Sequence, residues 1–315
     1  MKKLLIISDG KAGHENQSRA FCQALGYACD CVQVRYPLRV CKGLSYLADR
    51  LGIVSRRLFR MDALPDGGYY AAVVCAGSTA FYPGKVTARR LGAPVAAILY
   101  PGGYRISTFD CVMAPVFDDA PDAPNVIHIP ANLTAVDEAF YARAAEAFRQ
   151  RHAQKAPAVG VVIGGPTGFS PMTAETLRGH LDALFALTAG RERWVTTSRR
   201  TPPEIDALID GYPFDYKIIC RRDTTFNPVP AFVTLCERLF VTADSTGMIS
   251  EAVTCGGARV EVLAVPSGKD NKFARFLDGL AASGAAHIFD GTLGDARAKI
   301  DLSPVFEQAR RLLRL

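Results

Sequence analysis

The chain has 315 residues, 49% of them hydrophobic and 22% charged, with a formal net charge of +6. That length suits two domains of roughly 150 residues each, and the balance excludes a disordered chain. The charge is too mild, and too free of basic runs interleaved with aromatics, to point to a nucleic-acid partner.

Met1-Lys2-Lys3 precedes a short apolar run, Leu4 to Ile7, which ends at Ser8-Asp9-Gly10. It is too short for the apolar core of a signal peptide, and later runs such as Ala71–Ala76 fall short of a bilayer span. The nine cysteines are scattered without a Cys-x-x-Cys pair, and Cys29-x-Cys31 has no second pair to complete a metal site. These features predict a reduced, cytoplasmic protein without a metal, whose membrane contact, if any, is peripheral on the inner membrane.

The first strand is read at Leu4–Ile7 and runs into Ser8-Asp9-Gly10-Lys11-Ala12-Gly13-His14-Glu15-Asn16-Gln17. Gly10 and Gly13 permit a left-handed backbone, and the helix that follows, Gln17–Leu25, aims free N–H groups at the loop. Lys11 adds positive charge, and Asn16 and Gln17 extend the polar surface, so this is a candidate acceptor or phosphate loop. The spacing is not G-x-G-x-x-G and gives no dinucleotide fingerprint. His14 is a candidate base, because an imidazole can take a proton from an acceptor hydroxyl; Asp9 and Glu15 are rival bases. A plain solvated strand-to-helix turn would use the same residues.

Further short apolar strands are expected at Cys31–Val34, Ala72–Cys75, Val95–Leu99, Cys111–Ala114 and Val126–Ile129, with helices at Lys42–Phe59 and Phe81–Leu91. Strands apolar on both faces belong to a parallel sheet covered by helices. Between Arg35 and Arg60 seven basic residues (Arg35, Arg39, Lys42, Arg50, Arg56, Arg57, Arg60) stand against one acid, Asp49, with Leu44, Leu47, Leu51, Leu58 and Phe59 as apolar partners. Such a stretch suits an anionic membrane surface, or a core-facing helix with a solvated basic face. A longer helical pattern, Val136 to about His152, ends in Gln154-Lys155-Ala156-Pro157, read as a linker.

The second half repeats the rhythm. Strands are expected at Val159–Ile163, Trp194–Thr197, Lys217–Cys220, Leu239–Val241, Val260–Ala264 and His287–Phe289, and helices at Ala174–Leu187, Pro203–Ile209, Pro230–Cys236, Ser250–Thr254, Lys272–Ala282 and Pro304–Leu315. Two consecutive βαβ series predict two Rossmann-like, doubly wound α/β domains. Their expected bounds are 1–153 and 154–300, with 301–315 a terminal helix that returns to the first domain.

Three motifs in this half sit at strand ends, where open α/β sheets bind ligands. Gly164-Gly165-Pro166-Thr167 offers backbone N–H groups and a hydroxyl to a phosphate. Ser198, Arg199 and Arg200 suit a diphosphate. Asp244 and Ser245, followed by Met248, Ser250 and Glu251, cap the next helix and present a carboxylate to a ribose, with Asn227 on the same wall. A G-x-S-x-G elbow and a Walker A lysine do not occur, which removes α/β-hydrolases and P-loop enzymes.

Asp9 through Ser18, Ile163 through Thr167, Thr196 through Pro202, Asn227-Pro228, Thr242 through Ala252, Lys272 through Phe276 and Phe289 through Gly291 together resemble the mitochondrial-fission "elongated mitochondria" family. Family members often carry a basic or aromatic residue after Gly-Gly-Pro-Thr, where this chain has Gly168-Phe169. The resemblance implies a GT-B-like fold, similar to the peptidoglycan N-acetylglucosaminyl transferase and lipid A disaccharide synthase, with the two domains facing a cleft. It implies a nucleotide-diphospho-sugar as substrate rather than a bound cofactor, held by the second domain, and a cell-envelope or lipid-linked acceptor at the first. A nucleotide-sugar 2-epimerase and a membrane-recruited scaffold without catalysis are the rival expectations.

Overall fold

The computed structural model describes residues 2–65, 69–134, 138–168, 170–265 and 271–315. The chain divides into two compact units, Met1–Val136 together with Asp301–Leu315, and Asp137–Ile300.

In the first unit the strands are β1 (Lys3–Ser8), β2 (Cys29–Arg35), β3 (Arg60–Met61), β4 (Tyr70–Ala76), β5 (Val95–Ile98), β6 (Cys111–Pro115) and β7 (Val126–Ile129). They form one sheet in the order β3-β2-β1-β4-β5-β6-β7. Every pair is parallel except β2 with the two-residue β3, which is too short to show a period in sequence. Leu4, Leu5, Ile6 and Ile7 are all fully buried, as a strand covered on both faces requires.

The helices of this unit are α1 (Ala12–Ala24), α2 (Arg39–Arg50) and α3 (Phe81–Leu91). α1 starts five residues before the expected Gln17, so His14, Glu15, Asn16 and Gln17 sit on its first turns rather than in a loop. The expected helix Lys42–Phe59 is broken. α2 ends at Arg50, where the N–H groups of Gly52 and Ile53 turn back to the carbonyls of Asp49 and Ala48, satisfying its last acceptors, and a separate 3₁₀ turn covers Arg56–Leu58.

The second unit runs through α4 (Glu138–Arg149), β8 (Ala158–Ile163), α5 (Ala174–Leu187), β9 (Glu192–Thr197), α6 (Pro203–Gly211), β10 (Tyr216–Ile218), α7 (Val229–Leu235), β11 (Arg238–Thr242), α8 (Thr246–Thr254), β12 (Arg259–Leu263), α9 (Lys272–Ala282) and β13 (His287–Ile288). Its sheet is wholly parallel in the order β10-β9-β8-β11-β12-β13, the Rossmann order. α10 (Ser303–Leu313) returns to the first unit, where Phe306 packs on Phe21 at 6.4 Å and Arg310 donates to the Leu25 carbonyl at 3.0 Å.

The helix expected to close the first domain, α4, belongs instead to the second unit; Val136, its expected first residue, lies outside the described residues. Its Phe148 packs on Trp194 and Phe232, with centroids at 4.6 and 5.6 Å. The segment after it is also pinned there. Buried Glu192 sits 2.6 Å from His152 Nε2, and accepts the Trp194 indole N–H at 2.8 Å and the Lys155 N–H.

Burial alone would raise the Glu192 pKa; the His152 hydrogen bond, the Lys155 N–H and the Trp194 indole outweigh it and hold the carboxyl at about 2. A folded value below the unfolded one, about 4.3, gives stability that is complete above about pH 5 and lost as pH falls toward 2. We therefore expect Glu192→Gln to remove about 2–3 kcal/mol of stability at pH 7. It should also flatten the decline between about pH 5 and 2. Urea titrations across that range check both, and an unchanged pH profile would refute this role for the pair.

Candidate functional site

Each sheet has one place where successive strands depart in opposite directions, between β1 and β4 and between β8 and β11. The splayed loops at such a switch point are where open α/β sheets bind ligands. The polar motifs of the sequence gather at these two points.

At the β1/β4 point, Asp9 follows the end of β1 with its side chain only 2% exposed. His14, on the first turn of α1, places Nδ1 3.1 Å from both Asp9 oxygens. A carboxylate can only accept, so Nδ1 carries a proton, and it is the neutral form of the ring that offers a lone pair at Nε2. Asp9 also accepts the Lys11 N–H at 3.2 Å, and the Lys11 ammonium stands 3.7 Å away.

Gly77, just after β4, forms the seat of the ring. Its φ is +82°, and a Cβ there would lie 2.4 Å from His14 Cε1 and Nδ1. No side chain fits on either count. The only sequence signal for Gly77 was a glycine directly after an apolar strand. Beside it, Ser78 accepts from Lys42 Nζ at 2.9 Å through its hydroxyl and from Tyr104 at 3.0 Å through its carbonyl.

Glu15 is placed differently from its two rivals. Arg19 donates to it at 2.8 and 3.0 Å and the Ser8 hydroxyl at 3.1 Å. The Arg19 hydrogen bond, opposed by partial burial and aided by Ser8, holds its pKa below the ordinary carboxylate value. It anchors α1 to β1. Gly10 takes a φ of +79°, whereas Gly13 is helical with open space where a Cβ would stand, so nothing local requires that glycine. Asn16 is exposed, and the Gln17 amide oxygen is buried without a partner.

At the β8/β11 point the two glycines are required by close approach. A Cβ on Gly164 would meet Asp244 Oδ2 at 2.0 Å, and one on Gly165 the Arg200 carbonyl oxygen at 2.2 Å. Their N–H groups are already used: Gly164 donates to Thr242 Oγ1 at 2.7 Å and Gly165 to Asp244 Oδ2 at 3.0 Å. The expectation that both N–H groups face a phosphate is thereby corrected.

Asp244 is corrected in the same way. Its side chain is 1% exposed; Oδ1 accepts from Thr242 at 2.6 Å and Oδ2 from Arg200 Nη2 at 2.6 Å. It ties the loops after β8, β9 and β11 together instead of projecting outward. Thr201, part of the Thr196–Pro202 motif, completes the knot: buried, it donates to the Gly164 carbonyl at 2.5 Å and accepts the Ser198 N–H at 2.8 Å.

Around this knot lie the groups open to a ligand. Arg199 is exposed and has no ion pair among the described residues, and the Arg200 side chain is 51% exposed. The Ser198 hydroxyl accepts the Arg200 N–H at 3.2 Å. Asn227 is exposed, its Oδ1 accepting from Val229 at 3.2 Å. Ser245 caps α8 through the Met248 N–H at 3.4 Å. Thr167 and Ser170 bond each other in a closed turn, and Phe169 lies outside the described residues. Glu251 is half-buried and accepts from Tyr141 at 3.1 Å; burial raises its pKa despite that bond. Ser250 is fully buried, against the expectation that it meets a ligand. Among the described residues no group of His, Cys, Asp and Glu could hold a metal ion.

The model of the family "Mitochondrial fission ELM1" matches residues 12–315. The chain belongs to the mitochondrial fission ELM1 family.

No curated protein sequence matches this ELM1-family chain. Its fold matches the UDP-GlcNAc 2-epimerase from Neisseria meningitidis bound to UDP-GlcNAc, at 12% identity, 91% coverage of this chain, 87% of that one and a TM-score of 0.51. The S. aureus MnaA–UDP structure matches at 12% identity, 99% and 90% coverage and 0.50. A ugt transferase from Siraitia grosvenorii in complex with UDP matches at 11%, with 99% and 91% coverage and 0.50. The ELM1-family chain thus has the fold shared by GT-B glycosyltransferases and these epimerases.

The basic stretch of this chain carries an exposed apolar face. Leu38 and Leu51 are 64% and 65% exposed, and Val40, Leu44, Leu47, Ile53 and Val54 are exposed with them. Phe59 is buried. The one acid, Asp49, is also buried, accepting from Lys85 Nζ at 2.7 Å and the Arg105 N–H at 2.6 Å. Arg56 folds back onto the Phe59 carbonyl at 3.0 Å. The outer charge is therefore left to Arg35, Arg39, Arg50, Arg57 and Arg60, all exposed. Among the described residues no helix is long and apolar enough to cross a membrane.

Proposed function

We propose that this chain is a glycosyltransferase of GT-B type that moves a sugar from a nucleotide-diphospho-sugar to a hydroxyl of a cell-envelope or lipid-linked acceptor. The observation that carries the reading is the Asp9–His14 pair held by Gly77 at the β1/β4 switch point. His14 Nε2 removes the acceptor proton as the acceptor oxygen attacks the anomeric carbon and the bond to the diphosphate breaks. Asp9 fixes the ring's tautomer and offsets the charge that develops on it. In the second unit, Arg199 and the exposed part of Arg200 balance the charge growing on the leaving diphosphate, which needs no metal ion there. Glu251 and Asn227 supply acceptors for ribose and base.

A thermal-shift screen with nucleoside diphosphates and nucleotide sugars tests the donor site. A ligand held by the folded state adds about 2.7 kcal/mol of stability at a hundred times its Kd. We expect one nucleoside diphosphate to raise the Tm of the wild type and to lose that effect in Arg199→Ala. No shift with any nucleotide at millimolar concentration would overturn the donor site. Conversion of a nucleotide sugar to its 2-epimer without acceptor would replace transfer by epimerisation.

The face built from Leu38, Leu44, Leu47 and Leu51 supports a peripheral place on an anionic membrane, at its cytoplasmic side. Each basic residue near such a surface contributes about 1 kcal/mol, and the apolar side chains enter the headgroup boundary. Sedimentation with vesicles containing phosphatidylglycerol should show binding that weakens as salt rises, and Leu44→Asp with Leu47→Asp should lower it at least tenfold. Equal binding to neutral vesicles, or by the double variant, would refute the membrane role. Strong vesicle binding with no nucleotide binding would favour a scaffold.

A further inference from the structure

Tyr141, Ala145 and Phe148 form the buried face of α4 at helical spacing. Phe148 locks that face onto Trp194 and Phe232, and Tyr141 stands about two turns nearer the helix N-terminus. Its hydroxyl donates to Glu251 Oε1, on α8, at 3.1 Å. The two residues are 110 positions apart in the chain, and both belong to the second unit. Glu251 is half-buried, and its Oε2 has no partner among the described residues. Asp244, just before α8, has both oxygens engaged by Thr242, Gly165 and Arg200. Of these two acids, Glu251 is the one that keeps acceptor capacity: a carboxylate offers about four lone-pair sites, and Tyr141 takes one.

We propose that Tyr141 is a positioning residue for the donor: its hydroxyl holds Glu251 Oε1 so that the carboxylate accepts from the 2′- and 3′-hydroxyls of a ribose, and the site thereby selects ribonucleotides over deoxyribonucleotides. The proposal rests on the donor site read above. A glutamate has three side-chain torsions, and fixing one of its oxygens in advance removes part of the ordering cost that the ribose would otherwise meet. Tyrosine suits the task because it is neutral and gives a single hydrogen. An arginine in its place would fork onto both oxygens and leave less for the sugar.

The surroundings leave Glu251 to Tyr141. Burial raises the Glu251 pKa and the Tyr141 hydrogen bond lowers it, so loss of the hydroxyl raises it further. Burial, the Glu251 carboxylate and Cys255 push Tyr141 well above its usual value and keep it a donor. The charged groups on the neighbouring elements have other partners. Asp244 pairs with Arg200, Arg238 on β11 with Glu261 on β12, and Arg259 on β12 with Asp295. Lys299 donates to the Ala252 and Ala258 carbonyls at 2.7 Å. On α4 itself, Glu138, Arg143, Glu146 and Arg149 are exposed.

Calorimetric titrations of the full-length protein with UDP, CDP, ADP and GDP, and with the 2′-deoxy form of each, test the assignment. For the nucleotide that binds, wild type should prefer the ribose form about tenfold or more, as a hydrogen bond to a charged acceptor gives. Tyr141→Phe keeps the ring and should cut that preference about threefold or more. In a Glu251→Gln background the same change should alter it by less than about twofold, because its effect passes through Glu251. Acidification should erode the preference as the carboxylate takes up a proton, and should do so at higher pH in Tyr141→Phe than in wild type. Taking the ratio of the two forms cancels the titration of the diphosphate, which they share. Binding of none of these nucleotides would remove the donor site and this role with it. Binding without a ribose preference would keep the donor site and take Glu251 away from the ribose. A Tyr141→Phe variant that melts as a folded protein, with the wild-type preference and pH profile, would leave Glu251 in place and make Tyr141 a structural contact.

Discussion

His14→Ala is expected to lower turnover about 10²–10⁴-fold, the usual worth of a positioned general base, while leaving the nucleotide-induced rise in Tm intact. The split follows from the proposed roles: His14 lies in the first unit, and Arg199 and Glu251, the groups proposed to meet the nucleotide, lie in the second. The ring can serve because both its ends are determined. Asp9, itself almost wholly buried, fixes Nδ1 at 3.1 Å, and Gly77 leaves only enough room for the ring face. Asp9→Asn should lose less, about 10–10³-fold, because an amide can hold the ring by either of its ends and no longer enforces one tautomer. Gly77→Ala attacks the same geometry from the other side: a Cβ 2.4 Å from the ring, on a backbone at φ +82°, must displace His14. Steady-state turnover of the three variants, with the Tm shift as the control for donor binding, separates the outcomes. Equal turnover by His14→Ala and wild type would remove His14 as the base and leave the Asp9–His14 pair a structural contact.

Much of the fold is legible because its strands are covered on both faces. Leu4–Ile7, Ala72–Cys75 and Val159–Ile163 read as unbroken apolar runs, and each proves to be the centre of a parallel strand. β3 could not be read: two residues show no period. The start of α1 was hidden because its N-cap, Lys11, makes no side-chain cap, and Gly13 and Asn16 look like loop residues. α4 reads correctly as a helix, but an apolar stripe does not say which core it will cover, and Phe148 goes to the second unit.

The site divides along the same physical line. His14 and Asp9 stand out because they lie close together in a polar segment after a buried strand, and the structure joins them. Gly77 is more than sixty residues away and acquires meaning only when β4 pairs with β1. Asp244 is the reverse case. Its place after a strand and before a helix suggests a ligand contact, yet its partners Gly165 and Arg200 arrive through sheet neighbours that the sequence does not order. A carboxylate that reads as functional can equally be the group that satisfies a crowded set of donors.

That reading of Asp244 makes the second large prediction. Asp244→Ala is expected to destabilise the second unit by about 3–5 kcal/mol, because it strands the buried Thr242 hydroxyl and the Gly165 N–H and frees Arg200 from its carboxylate. The Arg200 side chain is 51% exposed and can rehydrate, which argues for the lower part of that range. Asp244→Asn keeps the shape but turns one acceptor into a donor facing donors, and should cost about 1–3 kcal/mol. Gly164→Ala meets the same knot, with its Cβ 2.0 Å from Asp244 Oδ2. The measurement can be confined to one unit, since Trp194 is the chain's single tryptophan and lies fully buried in the second. Its fluorescence in urea follows that unit's unfolding without assuming that both units melt together. At roughly 2–4 °C per kcal/mol, the alanine variant should also melt about 6–20 °C lower. An unchanged tryptophan transition combined with lost nucleotide binding would reverse the assignment: Asp244 would then be a ligand contact first, and the hydrogen bonds it makes to Gly165, Thr242 and Arg200 would be those of a site awaiting its ligand.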